Sequence, residues 1–569
     1  MSIEIKKLMK LHAISQCTPV KGQYLSSIFC IPKPDKSHRF ILNLKPLNKF
    51  INPPHFKLED IRTLCKLVTK DSYMCTLDIQ NAYYLISIHD DFRKFLRFKY
   101  KGILYEFNCL PFGLSTAPYT FTKLLKPVVE HLRSQGLINV AYLDDLNCIG
   151  LSYAECLDNV HKTVNLLQCL GFIINMKKSN LIPSQEREYL GFVINTQKMI
   201  IKPTENKKKS LLSAIHKFLK LKYCSIREFA ALVGSFVSIC MAVSYGFVYT
   251  KIFEREKYIA LQRSNGDYEK QMKINENVKL DLSWWQNKIN TAYNPIKQYQ
   301  FILEIWSDAS STGWGVHCDG KVARGFWSIQ DKQNHINYLE LLAAYFGLKC
   351  FAKDLKNCEI LLRVDNTTAI SYINRMGGVQ YPKLNNLSRL LWQFCEKRMI
   401  WVFASYIKSK DNKEADFESR NRNIDAEWEL SVDSFNRVVT MYGQPDIDLF
   451  ASRINTKCIK YVSWQRDPEA WNIDAFTLRW SDFYFYAFPP FSVLLKTIQK
   501  IKNEKARGII IFPVSTAQPW YPMMKSMIDS EVIYFPPSLE LLSSPFRTPH
   551  PLHAQLTLGA CILSGQRSN

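Results

Sequence analysis

Short apolar runs punctuated by turn residues dominate the first two hundred positions. The sharpest is Val140-Ala141-Tyr142-Leu143-Asp144-Asp145-Leu146-Asn147-Cys148-Ile149, where two apolar stretches bracket a pair of adjacent carboxylates. Runs of that length suit strands, so both acids are expected at or beside the tight turn of a hairpin. Residues 26–44 repeat the pattern about a turn carrying Lys33, Lys36 and Arg39. Residues 71–88 open as an apolar strand closed by Asp78 and followed by Asn81-Ala82-Tyr83. Leu110-Pro111-Phe112-Gly113-Leu114-Ser115-Thr116-Ala117-Pro118 reads as a rigid loop opening a helix near Tyr119.

From Lys202 to about Gln298 the pattern turns helical and basic. Lys207-Lys208-Lys209 leads an apolar-periodic stretch over 211–221, Ser225 opens another that runs through Cys240, and residues 294–300 read as a linker. Alternation returns in Ile305-Trp306-Ser307-Asp308-Ala309-Ser310-Ser311-Thr312-Gly313-Trp314-Gly315-Val316, which predicts a hairpin with Asp308 on one strand. Glu340 lies at the edge of the apolar face of an amphipathic helix over 337–347. Asp365 ends a strand over 360–364, and Asp416 lies in Asn412-Lys413-Glu414-Ala415-Asp416-Phe417-Glu418-Ser419-Arg420. Beyond Trp428 aromatics and prolines take over. Asp446-Ile447-Asp448, Tyr486-Ala487-Phe488-Pro489-Pro490-Phe491 and an apolar strand over 508–514 suggest an α/β layer.

At 569 residues the chain is too long for one core and should hold three or four domains. Its 47% hydrophobic and 13% aromatic content is that of a folded protein, and a net charge of +23 favours polyanionic partners, nucleic acid foremost. Sixteen cysteines without a Cys-x-x-Cys pair argue against zinc knuckles or a disulfide framework, and for reduced thiols in the cytoplasm or nucleus. No signal peptide opens the chain. The uncharged run 229–249 is long enough for a bilayer, about 20 residues, but glycines and serines interrupt it. It reads as buried helix, turn and helix, with no membrane partner.

Adjacent carboxylates about 4 Å apart repel by roughly 4 kcal/mol at an effective dielectric near 20. Such a cluster calls for a cation or a shared proton, and a divalent metal is its natural resident. Taken in order, the basic hairpin, the Asp78 segment, the Leu-Pro-Phe-Gly loop, the Tyr-Leu-Asp-Asp hairpin, Leu170-Gly171-Phe172 with Lys177 and Lys178, and Tyr189-Leu190-Gly191-Phe192 resemble retrotransposon reverse transcriptases. That resemblance implies an α/β and α+β multidomain right hand, with fingers and palm over 1–200 and a helical thumb and connection over 201–299. It makes Asp78, Asp144 and Asp145 the palm triad holding two Mg2+, with Mn2+ the alternative. Lys33 and Arg39 match triphosphate contacts, Tyr83 a gate against the ribose 2′-hydroxyl, and Phe112 and Gly113 the dNTP-facing loop. Tyr189, Leu190, Gly191 and Phe192 match the primer grip, and Lys177 or Lys178 the acid for pyrophosphate departure.

The four acids Asp308, Glu340, Asp365 and Asp416, each within an apolar element, resemble the ribonuclease H domain of such elements, here over 300–425. They imply a second two-metal site that cleaves the RNA of an RNA–DNA hybrid. Tyr406 stands where that family has histidine, and a phenol with pKa near 10 is a poor proton shuttle at neutral pH, so slower cleavage is expected. Residues 440–569 look similar to the Dam-like methyltransferase domain of DIRS-type, tyrosine-recombinase retrotransposons. Phe488 holds the place of the Asp or Asn that accepts from adenine and can accept nothing, so this domain is expected to be inactive and no AdoMet is expected. The implied partners are RNA template, DNA primer, dNTPs and hybrid. Without protease or recombinase signatures in this chain, Gag and a tyrosine recombinase are expected from other reading frames. The runner-up is a decayed or domesticated nucleic-acid-binding protein.

Overall fold

The computed structural model describes residues 1–32, 38–420, 428–544 and 549–566. The chain forms two compact units, Met1–Gly246 with Asp267–Gln298, and Phe247–Gly266 with Tyr299–Asn569.

The first unit is organised around a four-stranded antiparallel sheet in the order Ile138–Tyr142, Asp145–Gly150, Tyr73–Asp78, Asn180–Ser184. Alternation along the strands sends Cys75, Leu77, Leu146 and Cys148 to one face, where Phe121, Leu125 and Val129 of helix Ala117–Ser134 and Val160 and Leu167 of helix Tyr153–Cys169 bury them. Met74, Val140 and Ile149 point the other way, against Tyr189, Phe192, Ile194 and Ile201 of the three-stranded meander Glu186–Tyr189, Phe192–Asn195, Ile200–Pro203. Both faces are therefore covered, which is why these strands read as nearly unbroken apolar runs. The basic hairpin pairs Ile28–Pro32 with His38–Leu42.

Downstream, helix Glu205–Lys220 carries the lysine run, and helix Ile226–Ile239 begins at Ser225 with a reciprocal capping box to Glu228. The uncharged stretch after it breaks into the short 3-10 turns Cys240–Ala242 and Gly246–Tyr249. No described helix is long and apolar enough to cross a membrane. The expected linker differs from the structure: Asn294–Pro295 is an edge strand on Ile200–Ile201, a place where a residue lacking an N–H is tolerated. The thumb region differs too, because 247–266 goes with the second unit. Tyr249 donates to Glu396 at 2.5 Å, and Arg255 donates to the carbonyl of Val379 at 2.6 Å.

The second unit contains a five-stranded sheet in the order Lys321–Phe326, Gly313–Cys318, Phe301–Ala309, Glu359–Val364, Trp401–Tyr406, the last three strands parallel. Two glycines set its spacing. A Cβ on Gly315 would lie 2.3 Å from the Ala415 carbonyl of helix Lys413–Arg420, and one on Gly347 of helix Ile336–Phe351 would lie 2.9 Å from Ile305. A second five-stranded sheet runs Ile447–Asp448, Phe485–Ala487, Arg507–Pro513, Leu558–Ser564, Ile533–Phe535, its first three strands parallel and Leu558–Ser564 antiparallel to both neighbours. Arg453 fastens the two sheets' layers together. It pairs with Asp331 at 2.9 Å and lies 4.8 Å from the Phe346 ring centre. The sixteen cysteines are free thiols.

Candidate active sites

Strand register brings the first acids together. Tyr142 and Asp145 close a hairpin whose two-residue loop is Leu143-Asp144, with Leu143 at φ +53°, and Asp145 pairs directly with Asp78 across the sheet. Side chains so paired have Cβ atoms about 4.5–5.5 Å apart on one face. The Ile79 N–H donates to the Asp144 carbonyl at 2.8 Å, pinning the turn to the Asp78 strand. Burial foremost, then the Asp144 and Asp78 charges, push the Asp145 carboxyl up to about 6. Burial also raises Asp144, with Asp78 adding, against a backbone hydrogen bond and the opposing charges of Lys178 and Arg39. Two neighbouring acids that both resist ionisation suit a bound cation. Asp78 is the best held of the three: its Oδ1 accepts from Asn175 Nδ2 at 2.8 Å and its Oδ2 lies 3.5 Å from Lys178 Nζ. Both Lys177 and Lys178 are exposed, and that contact belongs to Lys178.

The segments around these acids are held by local contacts. Tyr83, only 9% exposed in the 3-10 turn Ala82–Leu85, has its ring centre 4.9 Å from Phe112 and 5.7 Å from Phe121. Burial, aided by the Asp144 charge, lifts its phenol to about 12. Phe112 is exposed and Gly113 has φ +97°. Asn48, unremarked in the sequence, locks this loop by donating to the Gly113 carbonyl at 2.9 Å and accepting from the Ser115 N–H at 3.0 Å. Leu190 and Gly191, both with positive φ, form the two-residue turn between the paired residues Tyr189 and Phe192. The Tyr189 hydroxyl donates to the Asp145 carbonyl at 3.2 Å, so this turn braces the acidic one. Arg39 is exposed on its strand, and Lys33 lies outside the described residues.

The second nest is more tightly drawn. Asp308 sits near the end of the central strand, Asp365 just past the end of the parallel neighbour, and Glu340 one turn into helix Ile336–Phe351. One carboxylate oxygen from each lies within 4.8 Å of the others, and among the described residues no other acid, His or Cys trio converges so closely. Asp308 Oδ2 and Glu340 Oε2 are buried without a hydrogen-bond partner. Burial, then Asp308 and Asp365, push Glu340 up to about 9, and burial, with Asp365 and Asp416 adding, pushes Asp308 up to about 6. Buried, unpartnered carboxylate oxygens of this kind fit a divalent cation. Asp416 stands at the rim, paired with Arg420 at 2.7 Å. Three supports went unread in the sequence: Ser409 donates to Asp365 Oδ2 at 2.7 Å, Asn412 to the Ser307 carbonyl at 3.0 Å, and Asn366 to Asn337 at 2.9 Å. Each is a short polar side chain whose partner lies far along the chain, so no local pattern marks it. Tyr406 is exposed at the end of its strand, opposite Val364.

In the C-terminal sheet, the carboxyl ends of the parallel strands face a cavity of about 670 Å³ whose walls include Phe450, Trp464, Phe476, Phe488 and Phe491. Asp448, the acid of the first strand, is not free to meet a ligand, since its carboxylate accepts from the Phe450 and Lys457 N–H groups at 3.2 and 3.0 Å. With Phe488 in the wall and Asp448 committed to its own loop, the residues present do not fit adenine methylation with AdoMet.

A hairpin-turn acid pair is thus joined through the sheet to a third acid, with helices beneath. Residues 31–194 match the family described as reverse transcriptase (RNA-dependent DNA polymerase). The chain is 27% identical over 158 residues to the Transposon Tf2-3 and Tf2-4 polyproteins of Schizosaccharomyces pombe, which is 28% of this chain and 12% of each polyprotein. It thus matches only a small part of their length. Among solved structures it is similar to foamy viral protease-reverse transcriptase in complex with double-stranded DNA (TM-score 0.46, 19% identity, 71% of this chain and 69% of that one). It is also similar to that protein in complex with an RNA/DNA hybrid (TM-score 0.45, 18% identity, 75% and 57%).

Proposed function

We propose that the chain is a retroelement polymerase that copies RNA and DNA into DNA and carries a second site that cleaves the RNA strand of RNA–DNA hybrids. The observation that carries the reading is the pairing of Asp78 with Asp145 beside the Leu143-Asp144 turn, inside the segment that matches reverse transcriptases. Asp78, Asp144 and Asp145 would hold Mg2+ or Mn2+ at the first site; Asp308, Glu340 and Asp365, with Asp416 at the rim, would hold it at the second. Bound there, divalent cations supply charge stabilisation and activation of the attacking oxygen in phosphoryl transfer. The protein's own part is positioning. Tyr83 and Phe112 wall the sugar and base of an incoming dNTP, Arg39 meets its phosphates, and Lys178 is placed to give a proton to the leaving pyrophosphate. The Tyr189–Phe192 turn, braced on the Asp145 carbonyl, carries the primer end.

RNA template, DNA primer and hybrid are the macromolecular partners of this reading, with Gag and a tyrosine recombinase supplied by other frames of a DIRS-type element. Residues 440–569 serve as a nucleic-acid-binding or structural domain without methylation. Extension of a DNA primer on end-labelled RNA with Mg2+ tests both activities in one tube. The expected result is extension and template shortening in the parent, extension lost in Asp144→Asn with shortening kept, and the converse in Asp308→Asn. Extension that survives Asp144→Asn would refute the assignment.

A further inference from the structure

One short turn, Asn175 to Ser179, hydrogen-bonds Asp78 at its N–H, its carbonyl and one carboxylate oxygen. The Asn175 N–H donates to the Asp78 carbonyl at 2.8 Å, and Ser179 Oγ accepts from the Asp78 N–H at 3.0 Å. The turn is closed on itself by the Lys178 and Ser179 N–H groups donating to the Asn175 carbonyl at 3.1 and 2.9 Å. Those bonds settle the backbone, and the strand end needs nothing more. The Asn175 side chain nonetheless adds a bond to the Asp78 carboxylate, at 2.8 Å to Oδ1. The terminal torsion of an aspartate is broad and roughly two-fold, so an unheld carboxylate samples many orientations. A donor fixed to one oxygen removes that freedom, and because the amide is neutral it leaves the negative charge in place.

We propose that Asn175 is the positioning residue of the first nest: it orients the Asp78 carboxylate through Oδ1, so that Oδ2, 3.5 Å from the exposed Lys178 Nζ, can exchange that contact for a divalent cation. The inference deepens the polymerase reading and rests on it. Partners that orient a metal-binding side chain change metal affinity or activity by about 10- to 100-fold when removed.

The test uses the full chain carrying Asp308→Asn, so that the second nest does not compete, with Mn2+ as the probe. Mn2+ binding followed by electron paramagnetic resonance should weaken at least about tenfold in Asn175→Ala. Asn175→Asp keeps the shape but turns an acceptor towards Oδ1, and it should weaken binding further. In primer extension, the Mg2+ midpoint should rise by a similar factor while the KM for primer–template and the thermal unfolding midpoint stay put. Unchanged Mn2+ binding in both variants overturns the inference, and so does a parallel shift of KM and unfolding midpoint, which marks a merely structural bond. A parent that binds Mn2+ through this clamp yet extends no primer sinks the polymerase reading and leaves the clamp standing.

Discussion

Glu340 carries the sharpest physical expectation. The side chain is 5% exposed, one of its oxygens has no partner, and its carboxyl is raised from 4.5 to about 9 by burial and by Asp308 and Asp365. Between those two values the folded chain keeps a proton that the unfolded chain has already released. The folded state therefore binds more protons, and stability falls as pH rises through this window. At pH 7 the gap from 4.5 is about 2.5 pH units at about 1.4 kcal/mol each, so the metal-free fold is weakened by roughly 3 kcal/mol. Glu340→Gln keeps the shape and has no proton to lose. In EDTA at pH 7 its second unit should melt higher, by roughly 6–12 °C at about 2–4 °C per kcal/mol for a domain of this size. At pH 5 the difference should nearly vanish. Adding Mg2+ should raise the parent's midpoint and leave the variant's almost unmoved, because the cation displaces the proton that Glu340 holds and the variant's glutamine has none to exchange. Calorimetry of the full chain at both pH values reads these midpoints. Coincident melting at pH 7 in EDTA, or a gap of equal size at pH 5, would refute the reasoning.

Three further outcomes follow from other sites. Replacing Tyr83 by Ala or Val should raise rNTP incorporation at least about tenfold relative to dNTP, since on the proposed reading the ring tilted against Phe112 crowds the sugar; sugar discrimination measured in single-nucleotide extension that does not change would remove the gate. Tyr406→His should speed hybrid cleavage within the usual general acid–base range of about 10²–10⁴ or less, and a slower variant in a gel-based cleavage assay would contradict the assignment. Arg453→Ala breaks a half-buried ion pair and a ring contact at once, so urea unfolding should show the second unit weakened by roughly 2–4 kcal/mol. An unchanged urea midpoint would mean that the fastening between the layers is energetically idle.

What the residue pattern revealed and what it hid have physical causes. Asp78, Asp144 and Asp145 were legible because apolar strands with a charged end have one sensible hairpin arrangement, and register then decides which acids face one another. Asp308, Glu340 and Asp365 were legible for the same reason, each ending or edging an apolar element. Asn48, Asn175, Ser409 and Asn412 were not, since a short polar side chain carries no periodicity and its partner lies far along the chain. Residues 247–266 were assigned to the wrong neighbour because Tyr249 and Arg255 find their partners more than a hundred residues later. The strand Asn294–Pro295 was missed because proline speaks against a strand everywhere except at an edge. Asp448 spends its carboxylate oxygens on two backbone N–H groups, a loop contact that no local pattern announces.

The order of the C-terminal sheet bears on how that sheet comes into being. Strand Leu558–Ser564 lies between Arg507–Pro513 and Ile533–Phe535 and pairs with both. A nascent polypeptide that has delivered Arg507–Pro513 must wait about 45 residues for it, with a long apolar edge bare in the meantime. That interval is the moment at which a chaperone, or another unfinished copy of the same chain, has its opening.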